Sequence, residues 1–347
     1  MDLSFYRGKK VLITGHTGFK GSWMCRVLYN LGAKVTGYAL APEKDSLYEI
    51  LGSDDYVDSK IGDIRDFGKL KAVVDEVKPE IVIHMAAQPL VRYSYECPRE
   101  TFETNVMGTV NVLEAVRSCE SVKSFINVTT DKVYRNVEQK KGYVEDDVLC
   151  GLDPYSNSKS CSELVTFSYL NSFFKDRKCA VSTCRAGNVI GGGDFAKDRI
   201  IPDCVKSVMS GKIIGIRNPL SVRPFQHVLE PVTVYLYLAM RQYKNPEVAG
   251  NYNIGPKQEA CVTSGELATL FCKYWEGAEW EHIGEENPVH EADFLWLDSS
   301  KIKRILQWES IWDIDKAMEK TVEWYRGYSM GENIEKITNQ QILEYFN

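Results

Sequence analysis

The sequence predicts an α/β protein built on a doubly wound parallel sheet of Rossmann type, followed by a smaller mixed α/β domain. Three observations carry this prediction. A short apolar run, Val11-Leu12-Ile13, leads straight into a glycine-rich turn, Gly15-His16-Thr17-Gly18-Phe19-Lys20-Gly21, and then into apolar residues at helical spacing. Strand-like and helical segments go on alternating as far as about Arg185. The length, 347 residues, suits two domains or one large unit at about 150 residues each.

The first strand is framed by Lys9 and Lys10 before it and by Thr14 and Gly15 after it, and its unbroken apolar run is that of a strand buried on both faces. Phe19, Trp23, Val27, Leu28 and Leu31 then fall on one side of a helix that stops before Gly32. Glycines at such a turn permit positive φ and let the backbone approach a pyrophosphate, whose charge faces the N–H groups opening the helix. The strand, turn and helix together read as a dinucleotide site.

A second strand covers Lys34–Leu40. No acidic residue stands at its end to meet an adenosine ribose; Glu43 and Asp45 come later, and no Arg is there for a 2′-phosphate, so this position leaves NAD and NADP undecided. The pattern continues through Ile61-Gly62-Asp63-Ile64, a helix carrying Leu70, Val73, Val74 and Val77, a strand Ile81–Met85, a helix over about 101–117 and a strand Ser124–Val128. Past Gly191-Gly192-Gly193 the alternation weakens and the segments shorten. The expected division is therefore a dinucleotide-binding domain over 1–185 and a substrate domain over 186–347, in a chain that can cross back.

Composition narrows the function. The formal charge of −6, with no dense Lys/Arg block, argues against a nucleic-acid groove or a membrane-surface anchor. The ten cysteines never form CxxC, so neither a zinc ribbon nor a dithiol motif is suggested, and no metal is expected. No apolar run is long enough for a membrane span, and residues 1–10 lack the apolar stretch of a signal peptide, so the expected location is the reducing cytoplasm.

Two segments can carry chemistry. Tyr155 and Lys159 stand four apart after Asp153-Pro154, a helix start, which puts both on one face. A lysine ammonium near a phenol favours phenolate, and a nicotinamide cation adds to that. Val128-Thr129-Thr130-Asp131-Lys132-Val133-Tyr134 follows a strand end, where loops of such a sheet line the ligand crevice, and offers a hydroxyl, an acid and an amine in succession.

These motifs, with His84-Met85-Ala86-Ala87-Gln88, Thr104-Asn105-Val106-Met107-Gly108-Thr109, Arg185–Asp194 and Arg223–Pro231, resemble the extended short-chain dehydrogenase/reductase superfamily of NAD-dependent epimerases and dehydratases. Within it the chain is similar, from about residue 8 to 327, to the nucleotide-sugar 4,6-dehydratases, in their CDP-glucose branch. The resemblance implies NAD as cofactor and CDP-glucose as the small-molecule partner, with self-association into a dimer or tetramer. It implies that Gly15, Gly18, Phe19 and Gly21 receive the pyrophosphate, that Asp63 and Ile64 sit at the adenine, and that Ala86, Ala87, Gln88 and Thr129 flank the cofactor with Asn105 packing behind them. Thr130 would meet the hexose 4-hydroxyl beside Tyr155, and Asn188, Arg199, Arg223 and His290 would hold the nucleotide and its phosphates.

The implied catalytic group is Thr130, Asp131, Lys132, Tyr155 and Lys159, in an internal redox dehydration that restores the cofactor each turnover. The broader group has Asp-Glu where this chain has Asp131-Lys132. A desolvated neutral Lys132 could be the base at carbon 5, or it could stabilise an enolate while another group acts. The rival readings are a 4-epimerase or decarboxylase of the same superfamily, which has no leaving hydroxyl for Asp131 to protonate, and a non-catalytic NAD-binding sensor, which needs neither Tyr155 nor Lys159.

Overall fold

The computed structural model describes residues 2–139, 141–175, 179–257, 261–284 and 295–347. Its first half alternates as the apolar pattern requires: β1 (Lys10–Thr14), α1 (Phe19–Asn30), β2 (Lys34–Ala39), α2 (Leu47–Ile50), β3 (Asp58–Ile61), α3 (Phe67–Val77), β4 (Ile81–His84), α4 (Val91–Glu96), α5 (Pro98–Phe102), α6 (Gly108–Arg117), β5 (Ser124–Val128), α7 (Pro154–Tyr169) and β6 (Ala180–Ala186). Beyond it come β7 (Val189–Ile190), α8 (Ile200–Met209), β8 (Ile214–Ile216), β9 (Val222–Arg223), β10 (Gln226–His227), α9 (Leu229–Lys244), β11 (Asn251–Ile254), β12 (Val262–Thr263), α10 (Ser264–Tyr274), β13 (Trp280–His282), α11 (Ser300–Leu306), α12 (Ile314–Ser329) and α13 (Ile334–Phe346).

The main sheet has seven parallel strands in the order β11-β6-β5-β4-β1-β2-β3. Strand succession reverses between β1 and β4, and the crevice beyond their carboxyl ends is where such a sheet receives ligands. Side chains alternate across it. Val11, Ile13, Ile81, Ile83 and Ile126 join one core with Trp23, Val27 and the apolar face of α9, whereas Leu12, Val82, Phe125 and Val181 meet Leu70, Val74, Leu113 and Val116 on the other side.

If the chain after residue 186 is taken as a second unit, α9 and β11 return to the sheet of the first. β11 pairs with β6 from Asn251 opposite Thr183 to Ile254 opposite Ala186. On α9, Gln242 Nε2 donates to Ser124 Oγ, Phe125 O and Ala180 O at 2.8, 3.0 and 3.1 Å, and its Oε1 accepts from Ser182 Oγ. A single carboxamide thus satisfies groups on two neighbouring strands.

The helix expected over 101–117 is interrupted. Glu103–Met107 forms one wide π turn between α5 and α6. Asn105, buried in that turn, accepts from Gln88 N at 2.8 Å and donates to Gln88 O and Ser158 Oγ at 3.1 and 2.9 Å. The extra residue in the turn goes with an inward side chain that ties the loop after β4 to α7.

Two buried charges organise the rest. Glu163 of α7 accepts from Arg185 Nε and Nη2 at 3.0 and 3.1 Å, and both side chains are almost wholly buried. Glu230 of α9 accepts from the backbone N–H groups of Ile311 and Trp312 at 2.9 and 2.7 Å and from the Tyr345 hydroxyl at 2.7 Å, which fastens the C-terminal helix. Burial pushes its carboxyl up to about 7.

Arg185→Met should cost about 3–5 kcal/mol in urea unfolding, because it leaves Glu163 buried without its cation; a loss under about 1 kcal/mol would show that the pair is not needed. The Glu230 proton is held more tightly in the folded chain than in the unfolded one, so the stability this group supplies is present at pH 4 and lost as pH rises through about 7. Glu230→Gln keeps the neutral form, and its stability relative to the parent should rise between pH 5 and pH 8, by on the order of 3 kcal/mol. A pH-independent difference would contradict the assignment.

Candidate active site

Three strand ends and one helix build the crevice. At the end of β1 the chain turns at Gly15, whose φ is +80° and whose N–H donates to Tyr38 O at 2.9 Å. A Cβ there would lie 2.8 Å from Ala86 N, and one on Gly21 would lie 2.1 Å from Gly15 O, so neither position accepts a side chain. Gly18 is the extended residue before α1, and the opening N–H groups of α1, from Phe19 onward, face the crevice. This cradle fits a pyrophosphate.

His16 is fully buried with Nε2 2.8 Å from Ser59 Oγ, its ring edge-on to Tyr48 and packed so close to Gly37 that a Cβ there would overlap it. Burial pushes it down to about 4, so it is neutral at pH 7. Asp63 is engaged by its neighbour: Arg65 donates to it from its backbone N and from Nε and Nη2 at 2.8, 2.9 and 2.6 Å. Ile64 is buried, with its carbonyl accepting from Asn111 Nδ2 at 2.8 Å. Ala86, Ala87 and Gln88 are half-buried along the opposite lip, and Gln88 is fixed by Asn105 and by Nε2 donating to Thr101 Oγ1 at 2.9 Å.

The chemical groups lie at the end of β5 and the start of α7. Asp153 caps that helix, accepting from Ser156 N at 2.9 Å, with Pro154 in the first turn. Tyr155 is buried, its N–H held by Ser94 Oγ at 3.1 Å and its hydroxyl close enough to Thr130 to feel that residue's hydroxyl. One turn on, Lys159 Nζ donates to Val128 O at 3.2 Å. One turn further, Glu163 accepts from Thr129 Oγ1 at 2.5 Å. The helix therefore reads three consecutive residues of the strand end with side chains spaced four apart.

Thr130 caps a short helical turn, Asp131–Val133, accepting from Lys132 N at 3.4 Å and donating to Asp131 Oδ1 at 3.0 Å. Asp131 is 1% exposed, and its Oδ2 is buried with no hydrogen-bond partner among the described residues. Lys132 Nζ reaches Asp131 Oδ1 at 3.2 Å and Asn188 Oδ1 at 3.3 Å. Thr130, Asp131, Lys132, Tyr155 and Lys159 thus form one cluster. Arg199 belongs beside them, bonded to Asp194 Oδ2 at 2.7 Å and close enough to Tyr155 to bear on its charge. Arg223 is buried on β9 with Nη1 donating to Val222 O at 2.9 Å, and His290 lies outside the described residues.

The depth at which Tyr155 lies works against the phenolate that Lys159 and a nicotinamide cation would favour. Burial pushes the phenol up to about 12, opposed by the nearby Thr130 hydroxyl and the Arg199 charge, and pushes Lys159 down to about 8, helped by the charge of Lys20. Desolvation outweighs these neighbours. Lys20 is the residue the sequence reading passed over. It is half-buried in the first turn of α1, where the charges of Arg199, Asp131, Asp194 and Lys132 act on it, and burial pushes it down to about 8. A lysine inside the glycine turn, where the helix N-terminus already carries positive charge, was the available signal.

Among known proteins, this chain is 46% identical to a CDP-glucose 4,6-dehydratase of Salmonella typhimurium, over 99% of this chain and 98% of that one. It is 26% identical to dTDP-glucose 4,6-dehydratase 1 of Escherichia coli, over 91% and 92% of the two chains. The fold matches that of dTDP-glucose 4,6-dehydratase from Bacillus anthracis, solved with NAD, with a TM-score of 0.77 at 21% identity over 93% of this chain and 99% of that one. It likewise matches the UDP-glucose 4-epimerase of Thermus thermophilus, also solved with NAD, with a TM-score of 0.79 at 22% identity over 91% and 99%. The family model described as GDP-mannose 4,6 dehydratase matches residues 12–321, and the chain belongs to that family.

Proposed function

We propose that this protein converts CDP-glucose to CDP-4-keto-6-deoxyglucose by an NAD-dependent internal dehydration. The observation that carries the reading is the buried Asp131 carboxyl group, its Oδ2 unpartnered among the described residues, near Tyr155 and the Thr130 cap. An acid placed next to a tyrosine and lysine pair is what loss of a hydroxyl requires and what simple 4-epimerisation does not. The near-full-length similarity to a CDP-glucose 4,6-dehydratase supports the nucleotide and the sugar.

Gly15, Gly18, Phe19 and Gly21 would hold the cofactor pyrophosphate, Asp63 and Ile64 the adenine side, and Ala86, Ala87, Gln88 and Thr129 the wall of the crevice. Bound NAD supplies the hydride acceptor for carbon 4, the donor for carbon 6 and a ring charge that favours the Tyr155 phenolate. Tyr155 takes the proton of the 4-hydroxyl while Thr130 orients that oxygen. The ketone so formed acidifies the carbon 5 proton, which a neutral Lys132 would take, or another base would take with Lys132 stabilising the enolate. Asp131 in its acid form would give its proton to the carbon 6 hydroxyl as that leaves as water, and a proton returns to carbon 5 as the hydride returns to carbon 6. Arg199, Arg223 and Asn188 would engage the nucleotide and its phosphates, guanidinium groups being suited to a diphosphate. We place this enzyme in the cytoplasm, where its ten free cysteines stay reduced, and read it as a homo-oligomer; no helix among the described residues is long and apolar enough to cross a membrane.

Incubating the protein with CDP-, UDP-, dTDP- and GDP-glucose should give a product lighter by one water from the cytidine sugar, with no net NADH formed; steady NADH accumulation would sink the scheme. Tyr155→Phe should abolish turnover with substrate affinity retained, and near-normal turnover would remove Tyr155 from the hydride step. Asp131→Asn should still let hydride leave carbon 4 but slow water loss by roughly 10²-fold, seen as a transient NADH absorbance with little dehydrated product. Unimpaired dehydration in that variant would take Asp131 out of the mechanism.

A further inference from the structure

We propose that Trp23 is a positioning residue for the substrate side of the crevice: from the helix that opens on the cofactor it holds the turn over residues 191–194, and through that turn it aims the Arg199 guanidinium at the nucleotide sugar. The inference rests on the dehydratase reading above, which gives Arg199 the phosphates.

Residues 191–193 are three glycines, so the turn has no side chains of its own with which to seat itself. Its seat comes from other elements. Phe19 and Trp23 stand four apart on α1 and both meet it: a Cβ on Gly191 would lie 3.3 Å from Phe19 Cζ, and Trp23 Nε1 donates to Gly192 O at 2.9 Å. Trp23 is fully buried, with the His227 ring edge-on to it at 5.7 Å between centroids. From α12, Trp324 closes on the turn so tightly that a Cβ on Gly192 would lie 2.0 Å from its Cγ. Tyr325, the next residue of α12, donates from its hydroxyl to Asp194 O at 2.5 Å. Both bonds are buried, so losing either donor leaves a carbonyl unpaired and frees the turn to shift.

What the turn delivers is Asp194. Its carboxylate is buried and accepts from Ala196 N at 3.2 Å through Oδ1 and from Arg199 Nη1 at 2.7 Å through Oδ2. Arg199 is half-buried, and its charge is felt by Tyr155 of the catalytic helix and by Lys20 of the glycine turn. The order of support is therefore α1, turn, Asp194, Arg199. A shift of the turn moves the carboxylate and with it the guanidinium, whose two-pronged fit to a phosphate depends on direction. One helix then sets both ligands: the cofactor pyrophosphate by its N-terminus, and the substrate phosphates by an indole one turn further on.

The test compares full-length variants that each lose one buried hydrogen bond. Trp23→Phe keeps an aromatic ring and removes the indole donor. Thr338→Val on α13 removes the acceptor that Trp324 Nε1 uses at 2.9 Å, a bond of the same kind directed to α13 and not to the turn. With NAD saturating, calorimetric titration with CDP and steady-state turnover of CDP-glucose should show Trp23→Phe weakening CDP and raising KM roughly 10-fold, while kcat and the separately measured NAD affinity stay within about threefold of the parent. Thr338→Val should leave all four quantities at the parent's values. Unchanged CDP affinity and KM in Trp23→Phe, NAD and CDP weakened alike, or the same losses in Thr338→Val overturns the inference alone. Should Trp23→Phe fail to fold, Tyr325→Phe, which strips one oxygen from the other anchor of the turn, is held to the same outcomes. If the parent enzyme neither binds CDP nor turns over CDP-glucose, the proposed substrate falls and takes this role with it.

Discussion

The buried Glu163 carboxylate is the constraint on which the geometry of the site depends. It accepts from Thr129 at the end of β5, from Thr183 and Arg185 of β6, and belongs to the same helix as Tyr155 and Lys159. Arg185 in turn donates to the Tyr134 hydroxyl at 2.7 Å and to Glu145 O at 2.9 Å, and Tyr134 donates to Asn253 of β11 at 2.7 Å. Removing any member strands a charge or a donor in a place water does not reach, so the arrangement is close to all-or-none. With Glu163 fixed, the phase of α7 is fixed, and Lys159 and Tyr155 must fall over Val128 and Thr130.

A second buried chain sets the other wall of the crevice. Thr14 Oγ1 accepts from the backbone N–H groups of Met85 and Ala86, both at 3.2 Å, so its own proton goes to His84 Nδ1 at 2.7 Å. The ring proton of His84 then lies on Nε2, facing Thr109 Oγ1 at 3.2 Å, and Thr109 donates onward to Asn105 O at 2.7 Å. Ser162 of α7 donates to Thr109 and accepts from Asn127. Burial and the Lys159 charge push His84 down to about 3, so the chain has one sense of donation at every pH where the protein works. It runs from β1 through β4 and α6 to α7, joining the glycine turn to the catalytic helix.

What was legible in the sequence was local. The glycine turn needs an apolar strand before it and a helix after it, Pro154 after Asp153 announces a helix start, and a four-residue spacing places Tyr155 with Lys159; each is decided within one or two turns of chain. The parts that were not legible are long-range. Gln242 reaches residues more than sixty positions away, and nothing in its own neighbourhood says that α9 will lie against β5 and β6. The π turn at Asn105 is forced by a partner seventeen residues earlier, Gln88, and another fifty-three later, Ser158. Glu163 and Arg185 read singly as exposed helix and strand-end charges; only the fold shows them meeting. Spacing gives Tyr155 its helical neighbour Lys159 but not its depth of burial, which pushes the phenol up to about 12.

Charge supplies the last link between fold and ligand. The chain as a whole is acidic, at −6, yet the crevice gathers Lys20, Lys132, Lys159 and Arg199 around Asp131 and Asp194. Four cationic side chains against two carboxylates, at a site that also receives the positive end of α1, is an arrangement under internal repulsion: Lys20 and Arg199 act on each other, and Lys20 acts on Lys159. Burial of so much like charge disfavours the charged lysines, as the lowering of Lys20 and Lys159 to about 8 records. Anionic ligands reverse both effects. A pyrophosphate at the glycine cradle and a second diphosphate across the cleft would offset the excess positive charge, which is how a positive crevice in an acidic protein suits anionic ligands.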